Sequence, residues 1–322
     1  NEVVFNQNSE LKTIGQFAFS KTKIKEINLP QSIVELNKKW FNDMSDLNKV
    51  FVSPKNEFYS YLDDNFFVGK TDKSDVNYDD ILIARRNIKE AVIPSFINKI
   101  SSYAFQGCKE LEKIEFFCDS ELKYIDEFAF NLISIVEITI PSHVKEIGKN
   151  AFSSCQRLVK VSFMENSELE LIDECAFNMS SIESIFIPSK VSRIEKEAFN
   201  DCENLKNVEF ENDSILKTIG SFAFACTIIE QILIPSSVTR IESNAFYKCE
   251  KLKKIEFLND SALEFIGESA FLGTSIESII IPPHVSQIDE YSLSNCHSLK
   301  SVEFSENSEL LSINNHAFSN AS

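Results

Sequence analysis

The chain has 322 residues, of which 43% are apolar and 25% are charged, a balance that excludes a disordered or collagen-like chain. Acidic residues outnumber basic ones by 49 to 32, and the resulting net charge of −17 would repel the phosphate backbone of nucleic acids. No apolar stretch reaches the roughly 18 to 20 residues that span a bilayer. We therefore expect no nucleic-acid partner, and any membrane anchor would lie outside these residues.

The sequence repeats every 47 residues, and two residue types mark the period: Pro94, Pro141, Pro188, Pro235 and Pro282; Cys108, Cys155, Cys202, Cys249 and Cys296. An Ala-Phe pair occurs twice in each period, so the structural unit has 23 to 24 residues. A unit of this size cannot bury its own apolar face, but stacked units form one continuous core. The repeat therefore predicts a solenoid.

The first period is longer than the others, because the interval from Phe41 to Phe105 clearly exceeds that between equivalent residues of later periods. The extra segment has two apolar pieces, FFVGK and ILIARRN, around a polar stretch rich in Lys, Asp and Ser. This pattern is typical of a β-hairpin. We expect a hairpin-type insertion at about residues 67–87.

Each later unit contains two predicted elements. The alternation of Leu205, Val208 and Phe210 predicts a short parallel strand that is buried on one side. The pattern Val-x-x-Ile-x-x-x-Ala-Phe has a spacing of three to four residues, which favours a short helical or 3₁₀ turn. The predicted fold class is therefore an α/β repeat solenoid, with parallel strands on the concave face and helical or 3₁₀ turns on the convex face.

Both ends of the sequence fall within a unit, because Phe5 matches Phe116 and Phe210, and Ser322 follows an Ala-Phe turn. We expect residues 1–322 to form a single solenoid that is a fragment of a longer protein. Any targeting signal, anchor or capping unit would then lie outside it.

The five periodic cysteines are expected to lie two coils apart, at about 10 Å, which is too far for a disulfide. We interpret them as small buried groups in the turns. Cys226 is assigned to the same column, one coil from Cys202 and Cys249, where the distance would allow a bond. Whether Cys226 forms a disulfide stays open.

The sequence offers no candidate for catalysis or for a cofactor. Its four histidines form no Ser-His-Asp or Cys-His arrangement. The alternation of Asp75, Asn77 and Asp79 resembles a calcium loop, but Asp80 stands where such a loop needs Gly, and Arg86 stands where it needs Glu. We interpret this segment as a solvated hairpin tip, and we expect no metal site, no small-molecule substrate and no enzymatic activity.

The solvent-facing positions of the predicted strands form two columns. In the first column, Lys113, Glu137 and Lys160 are adjacent, and cross-strand ion pairs are the expected result. In the second column, apolar residues alternate with carboxylates, and the candidate partner-binding residues are Phe186, Glu209, Leu233, Glu256 and Ile280. A partner would bury such an apolar row, although strand propensity alone could also place these residues there.

The units resemble those of the BspA-like leucine-rich-repeat proteins of bacteria and protists over essentially the whole chain. The resemblance rests on the Ile-Pro-Ser-Ser-Val start at 234–238, on Ile-Glu-x-x-Ala-Phe at 241–246 and on Cys249. It implies a parallel-stranded solenoid at a cell surface or secreted, with a role in adhesion or recognition, and it carries no family catalytic residues.

The expected function is a non-enzymatic recognition or adhesion module that binds a protein or cell-surface ligand through its concave acidic and apolar face. The alternative is an intracellular interaction scaffold of the same fold, which eight free thiols would favour.

Overall fold

The structure is a computed structural model that describes residues 1–6, 8–37, 39–42, 44 and 46–321. Ser322, the last residue of the predicted solenoid, lies outside the described residues. The chain forms a parallel β-solenoid of about 13 coils, as the repeat predicted. Within the described part of the chain there is no helix, and accordingly none that is long and apolar enough to cross a membrane.

Each coil contributes one long strand to the first side of the solenoid, and neighbouring long strands run parallel. Inward and outward side chains alternate along each strand, as in Ser184–Ile187, where Ile185 and Ile187 are buried and Phe186 is exposed. The long strands are Glu2–Val4, Glu26–Leu29, Lys49–Val52, Glu90–Ile93, Lys113–Phe116, Glu137–Ile140, Lys160–Phe163, Ser184–Ile187, Asn207–Phe210, Gln231–Ile234, Lys254–Phe257, Ser278–Ile281 and Ser301–Phe304.

A second ladder of two-residue strands closes another side of each coil, and it is also parallel. Its inward residue is almost always isoleucine. The short strands are Thr13–Ile14, Glu35–Leu36, Lys99–Ile100, Tyr124–Ile125, Glu146–Ile147, Leu171–Ile172, Arg193–Ile194, Thr218–Ile219, Arg240–Ile241, Phe265–Ile266, Gln287–Ile288 and Ser312–Ile313.

The extra residues of the first period form an antiparallel meander of three strands, Tyr59–Leu62, Phe66–Gly69 and Asp80–Ala84. Its last strand pairs in parallel with Lys99–Ile100 and thereby joins the short ladder. Alternating side chains of the middle strand face opposite ways, because Phe66 packs in the large core cluster and Phe67 packs in the N-terminal one. The meander thus separates two parts of the core.

The predicted helical turns around the Ala-Phe pairs are wrong. In the middle of the solenoid, the N–H of Asn200 donates to the carbonyl of Glu197 at 3.1 Å, but the N–H of Phe199 donates to Ala223 of the next coil at 2.8 Å. Glu197 and Asp201 flank the Ala-Phe pair with φ angles of +58° and +55°. Because alternate donors bond within the coil and to the next coil, the segment is a stack of tight turns. A helix would bond every donor within its own segment.

The phenylalanine rings of these turns form a column through the core. From Phe105 to Phe271, successive rings lie 4.9 to 5.5 Å apart with interplanar angles of 3° to 30°, and all eight are fully buried. Leu293 continues the column in the next coil, and Phe318 is only half-buried near the C-terminus. Each ring therefore stabilises the coils on both sides of it.

Candidate interaction surface

The outward side of the long strands carries the candidate binding residues. Phe186, Leu233 and Ile280 are exposed by 48%, 48% and 57% of their surface. Their direct neighbours on the following strands are Glu209, Glu256 and Glu303, which lie on the same outward side. Apolar side chains and carboxylates thus share this outward side, which we call the long-strand face.

From Glu90–Ile93 onward, the long strands are joined two by two. We call those followed by proline the Pro strands and those ending in phenylalanine the Phe strands. The Pro strand Gln231–Ile234 pairs with the next Phe strand, Lys254–Phe257, over all four residues. In contrast, the Phe strand Asn207–Phe210 pairs with the next Pro strand only at Asn207 and Gln231. Lys113–Phe116 and Glu137–Ile140 even fall in separate sheets.

The ends of the strands differ in the same alternating way. The ladder between a Pro strand and its Phe strand extends one residue further, because the N–H of Glu211 donates to the carbonyl of Ile187 at 2.9 Å. A Pro strand ends at a residue such as Pro235, which has no N–H to offer to the preceding coil. The ladder between a Phe strand and the following Pro strand therefore lacks this extra hydrogen bond at its end.

Among the described residues, grooves open on the long-strand face at three of the places where neighbouring strands diverge. The first lies between Lys113–Phe116 and Glu137–Ile140, the second between Asn207–Phe210 and Gln231–Ile234, and the third between Lys254–Phe257 and Ser278–Ile281. The second and third grooves have volumes of 580 and 600 Å³. The grooves were not predicted from the sequence, where their only signal is the alternation of proline and phenylalanine at the strand ends.

The second groove is strongly acidic. Among the described residues, five carboxylates line it and no lysine or arginine does; they are Glu209, Glu211, Asp213, Glu256 and Asp260. Leu233 and Leu258 supply apolar surface beside them. Glu256 forms an ion pair with Lys254 at 2.6 Å, on the same strand. The groove is thus suited to a group that combines positive charge with apolar surface.

The expected cross-strand ion pairs of the first column are wrong. Lys113 forms its ion pair with Glu115, two residues on in its own strand, and this hydrogen bond raises the pKa of Lys113. Residues two apart on a strand share one face. A long lysine side chain can therefore reach its own strand's carboxylate as easily as that of a neighbour.

The five periodic cysteines are fully buried free thiols. The thiol of Cys202 donates to the carbonyl of Phe177 at 3.1 Å, and those of Cys155, Cys249 and Cys296 repeat this contact with their own preceding Phe. Burial raises the pKa of Cys155, Cys202 and Cys249 to about 12. These thiols therefore serve packing and are poor nucleophiles.

Cys226 does not lie in the cysteine column. Its backbone takes the left-handed turn position, with φ of +57°, beside Asp201 and Lys248 of the adjacent coils. The column position next to Cys249 belongs to Thr227, whose hydroxyl lies 3.3 Å from the Cys249 sulfur. The sequence register was one residue off, and Cys226 is a free thiol.

The polar tip of the meander has ordinary turn contacts. Asp79 accepts a hydrogen bond from the N–H of Thr71 at 2.7 Å, and Asp72 accepts from Ser74. Over the part of the chain that the structure describes, no group of three or more His, Cys, Asp or Glu side chains is arranged to hold a metal ion.

Several solved structures are similar to this chain. A leucine-rich repeat protein from Eubacterium ventriosum has the same fold: it is 22% identical over 85% of this chain and 65% of its own, with a TM-score of 0.63. A leucine-rich repeat protein from Bacteroides ovatus is 24% identical over 96% of this chain and 80% of its own, with a TM-score of 0.46. A leucine rich cell surface protein from Faecalibacterium prausnitzii is 22% identical over 94% and 87%, with a TM-score of 0.43. No curated protein matches the chain.

The model of the BspA type leucine-rich repeat region matches the chain in six copies, which together extend over residues 1–83, 79–206, 170–297 and 217–322. The match thus spans both the meander and the regular coils. Together with the parallel solenoid, it places the chain in the BspA-type leucine-rich repeat family.

Proposed function

We propose that this chain is a non-enzymatic recognition module that binds a protein partner through its long-strand face. The observation that carries the proposal is the exposed row of Phe186, Leu233 and Ile280 beside acidic grooves. Exposed apolar side chains that recur at every second coil gain free energy when a partner buries them, while carboxylates between them select the partner's charge. Partner binding is also the usual role of leucine-rich repeat proteins.

We further propose that the module acts at the cell surface, as the BspA-like resemblance implies. The alternative, an intracellular scaffold, was favoured by the eight thiols, but five of them are buried and thus shielded from oxidants in either compartment. Cys118 is exposed, and Cys175 and Cys226 are half-buried. Protease treatment of intact cells, followed by detection of the protein, separates the two: degradation supports surface exposure, and full protection supports the scaffold.

The test of partner binding is attachment of the purified protein to cells and matrix proteins. We expect the triple substitution Phe186→Ser, Leu233→Ser and Ile280→Ser to abolish attachment. The melting temperature should change little, because these side chains are exposed and contribute little to the core.

The matched control is Leu132→Ser, Met179→Ser and Ile215→Ser. These side chains are exposed by 48%, 52% and 50%, and they line none of the three grooves. Attachment that survives the first triple substitution and is lost in the control would place the binding surface elsewhere and overturn the proposal.

A further inference from the structure

The second and third grooves repeat the same geometry two coils apart. Each lies between a Phe strand and the following Pro strand, with a carboxylate from the first and an apolar residue from the second. In the second groove these are Glu209 and Leu233, and in the third they are Glu256 and Ile280. Because neighbouring strands are about 4.8 Å apart, the grooves are separated by roughly 9.6 Å along the solenoid.

The lining of the grooves selects a side chain with an apolar stem and a cationic head. Leu258 lines both grooves, and Glu306 adds a carboxylate to the third. Because Glu256 is already paired with Lys254, Glu306 supplies the remaining negative charge of the third groove. Arginine and lysine carry an apolar stem below a charged group, so each could pack against Leu233 or Ile280 and present its charge to the carboxylates.

The spacing of the grooves selects the secondary structure of the partner. In an α-helix, residues seven apart lie on one face at a distance of about 10.5 Å, which exceeds the groove spacing by about 1 Å. In an extended strand, residues on one face recur every ~6.6 Å, and neither one nor two such steps matches the grooves. A polyproline II segment recurs on one face at about 9.3 Å, but its two intervening residues point to other sides. In an α-helix, the residues three and four positions on share the face and can cover the surface between the grooves. A long side chain can absorb the small mismatch of the helix.

We infer that the partner presents a basic amphipathic helix along the long-strand face, with one arginine or lysine in each groove at a seven-residue spacing. This inference rests on the proposed function, since it names the partner of the same surface. The apolar residues between the two cations lie against the exposed row.

The experiment uses a fluorescent, hydrocarbon-stapled 21-residue helical peptide with arginines seven residues apart and leucines between them. Its affinity for the full chain is measured by fluorescence anisotropy over a range of salt concentrations. Two peptides of equal composition serve as controls: a stapled helix with the arginines five residues apart, and a proline-containing peptide that cannot form a helix. We expect the peptide with arginines seven residues apart to bind at least tenfold tighter than either control. Its affinity should fall as the salt concentration rises.

The matching protein variants separate local recognition from net charge. Glu209→Gln, Asp213→Asn and Asp260→Asn together neutralise the second groove, whereas Glu203→Gln, Glu250→Gln and Glu268→Gln remove three exposed charges that line none of the grooves. We expect about a tenfold loss of affinity in the groove variant and less than twofold in the control.

Several results would overturn the inference. Equal affinity for the two helical peptides, equal losses in the two variants, or tighter binding of the unfolded peptide would each exclude a heptad-spaced helix. If attachment is still lost in the Phe186, Leu233 and Ile280 variant, the long-strand face remains the binding surface and only the helical partner is wrong. If that variant also attaches normally, the proposed function itself fails.

Discussion

At the scale of single residues, the phenylalanine column links each coil to its neighbours. Phe199 is fully buried, and its ring lies 5.3 Å from those of both Phe177 and Phe224. We expect Phe199→Ala to lower the free energy of unfolding by roughly 3 to 5 kcal/mol, because it removes a large buried side chain and leaves a cavity. Denaturant unfolding with intrinsic fluorescence or circular dichroism measures this change.

The control for this prediction is Phe318→Ala. The ring of Phe318 is half-buried in the last described coil, so its removal should cost far less. Equal losses at both positions would contradict the stacked column.

Gly220 is a second residue on which coil stacking depends. A Cβ atom at this position would lie 2.7 Å from the carbonyl carbon of Glu195 in the preceding coil, and backbone cannot move aside cheaply. We expect Gly220→Ala to destabilise the protein by about 1 to 3 kcal/mol through overpacking. Gly15 follows a short strand in the same way, but a Cβ atom there would have no neighbour within 4 Å, so Gly15→Ala should be neutral or slightly stabilising.

Single-residue placement was predictable from the sequence where the repeat itself supplied the register. Phe186, Leu233 and Ile280 recur every 47 residues, and their side of the strand followed from the alternation of buried neighbours. Cys226 has no counterpart cysteine one period away, so its register rested on counting through a turn. That turn holds two left-handed residues, Phe222 and Cys226 itself, which no local pattern revealed, and the count missed by one.

At the scale of elements, the meander contains the most unusual titratable group. Asp80 is buried at the start of its last strand, and one of its oxygens accepts a hydrogen bond from Ser101 at 2.9 Å. Burial raises the pKa of Asp80 to about 7, although nearby Lys99 and the Ser101 hydrogen bond oppose the rise. Two nearby carboxylates raise the pKa of Asp80 further. They are Asp79 and Asp126, and Asp126 forms an ion pair with Lys99 at 2.8 Å.

This raised pKa makes stability depend on pH. The folded state holds the Asp80 proton more tightly than the unfolded chain, so its stabilising effect is complete below about pH 4 and is lost as the pH rises through 7. The Asp80→Asn variant does not lose this contribution. We therefore expect its free energy of unfolding, relative to that of the wild type, to increase by at most about 4 kcal/mol between pH 4 and pH 7 and to stay constant above pH 7. Chemical denaturation of both proteins across this range measures it; a difference that does not vary with pH would contradict the assignment.

The helical turns could not have been excluded from the sequence. The inward residues of the Ala-Phe segment recur every three to four positions both in a helix and in stacked tight turns. The two differ in the acceptors of alternate backbone N–H groups. In the stacked turns these groups, such as the N–H of Phe199, donate to carbonyls of the next coil. That partner lies a whole coil away along the chain and leaves no local signal. The grooves were hidden for the same reason, because they depend on how neighbouring coils pair.

At the scale of the whole molecule, the fold makes an elongated stack. About 13 coils at 4.8 Å each give a length on the order of 60 Å. We expect small-angle scattering to show an elongated particle of this length, and the far-ultraviolet circular dichroism spectrum to be that of β-structure with little helix. A compact sphere or a strong helical spectrum would contradict the solenoid.

Recognition through the long-strand face is the central claim, and hydrogen–deuterium exchange with and without a bound partner tests it most directly. The partner is one found by attachment, or the heptad-spaced peptide. We expect binding to slow exchange in segments 207–214, 231–236, 254–260 and 278–283, which line the second and third grooves. Exchange in the Ala-Phe turns at 195–201 and 242–248 should be the same with and without the partner. Slower exchange at those turns, with the groove segments unaffected, would contradict the account.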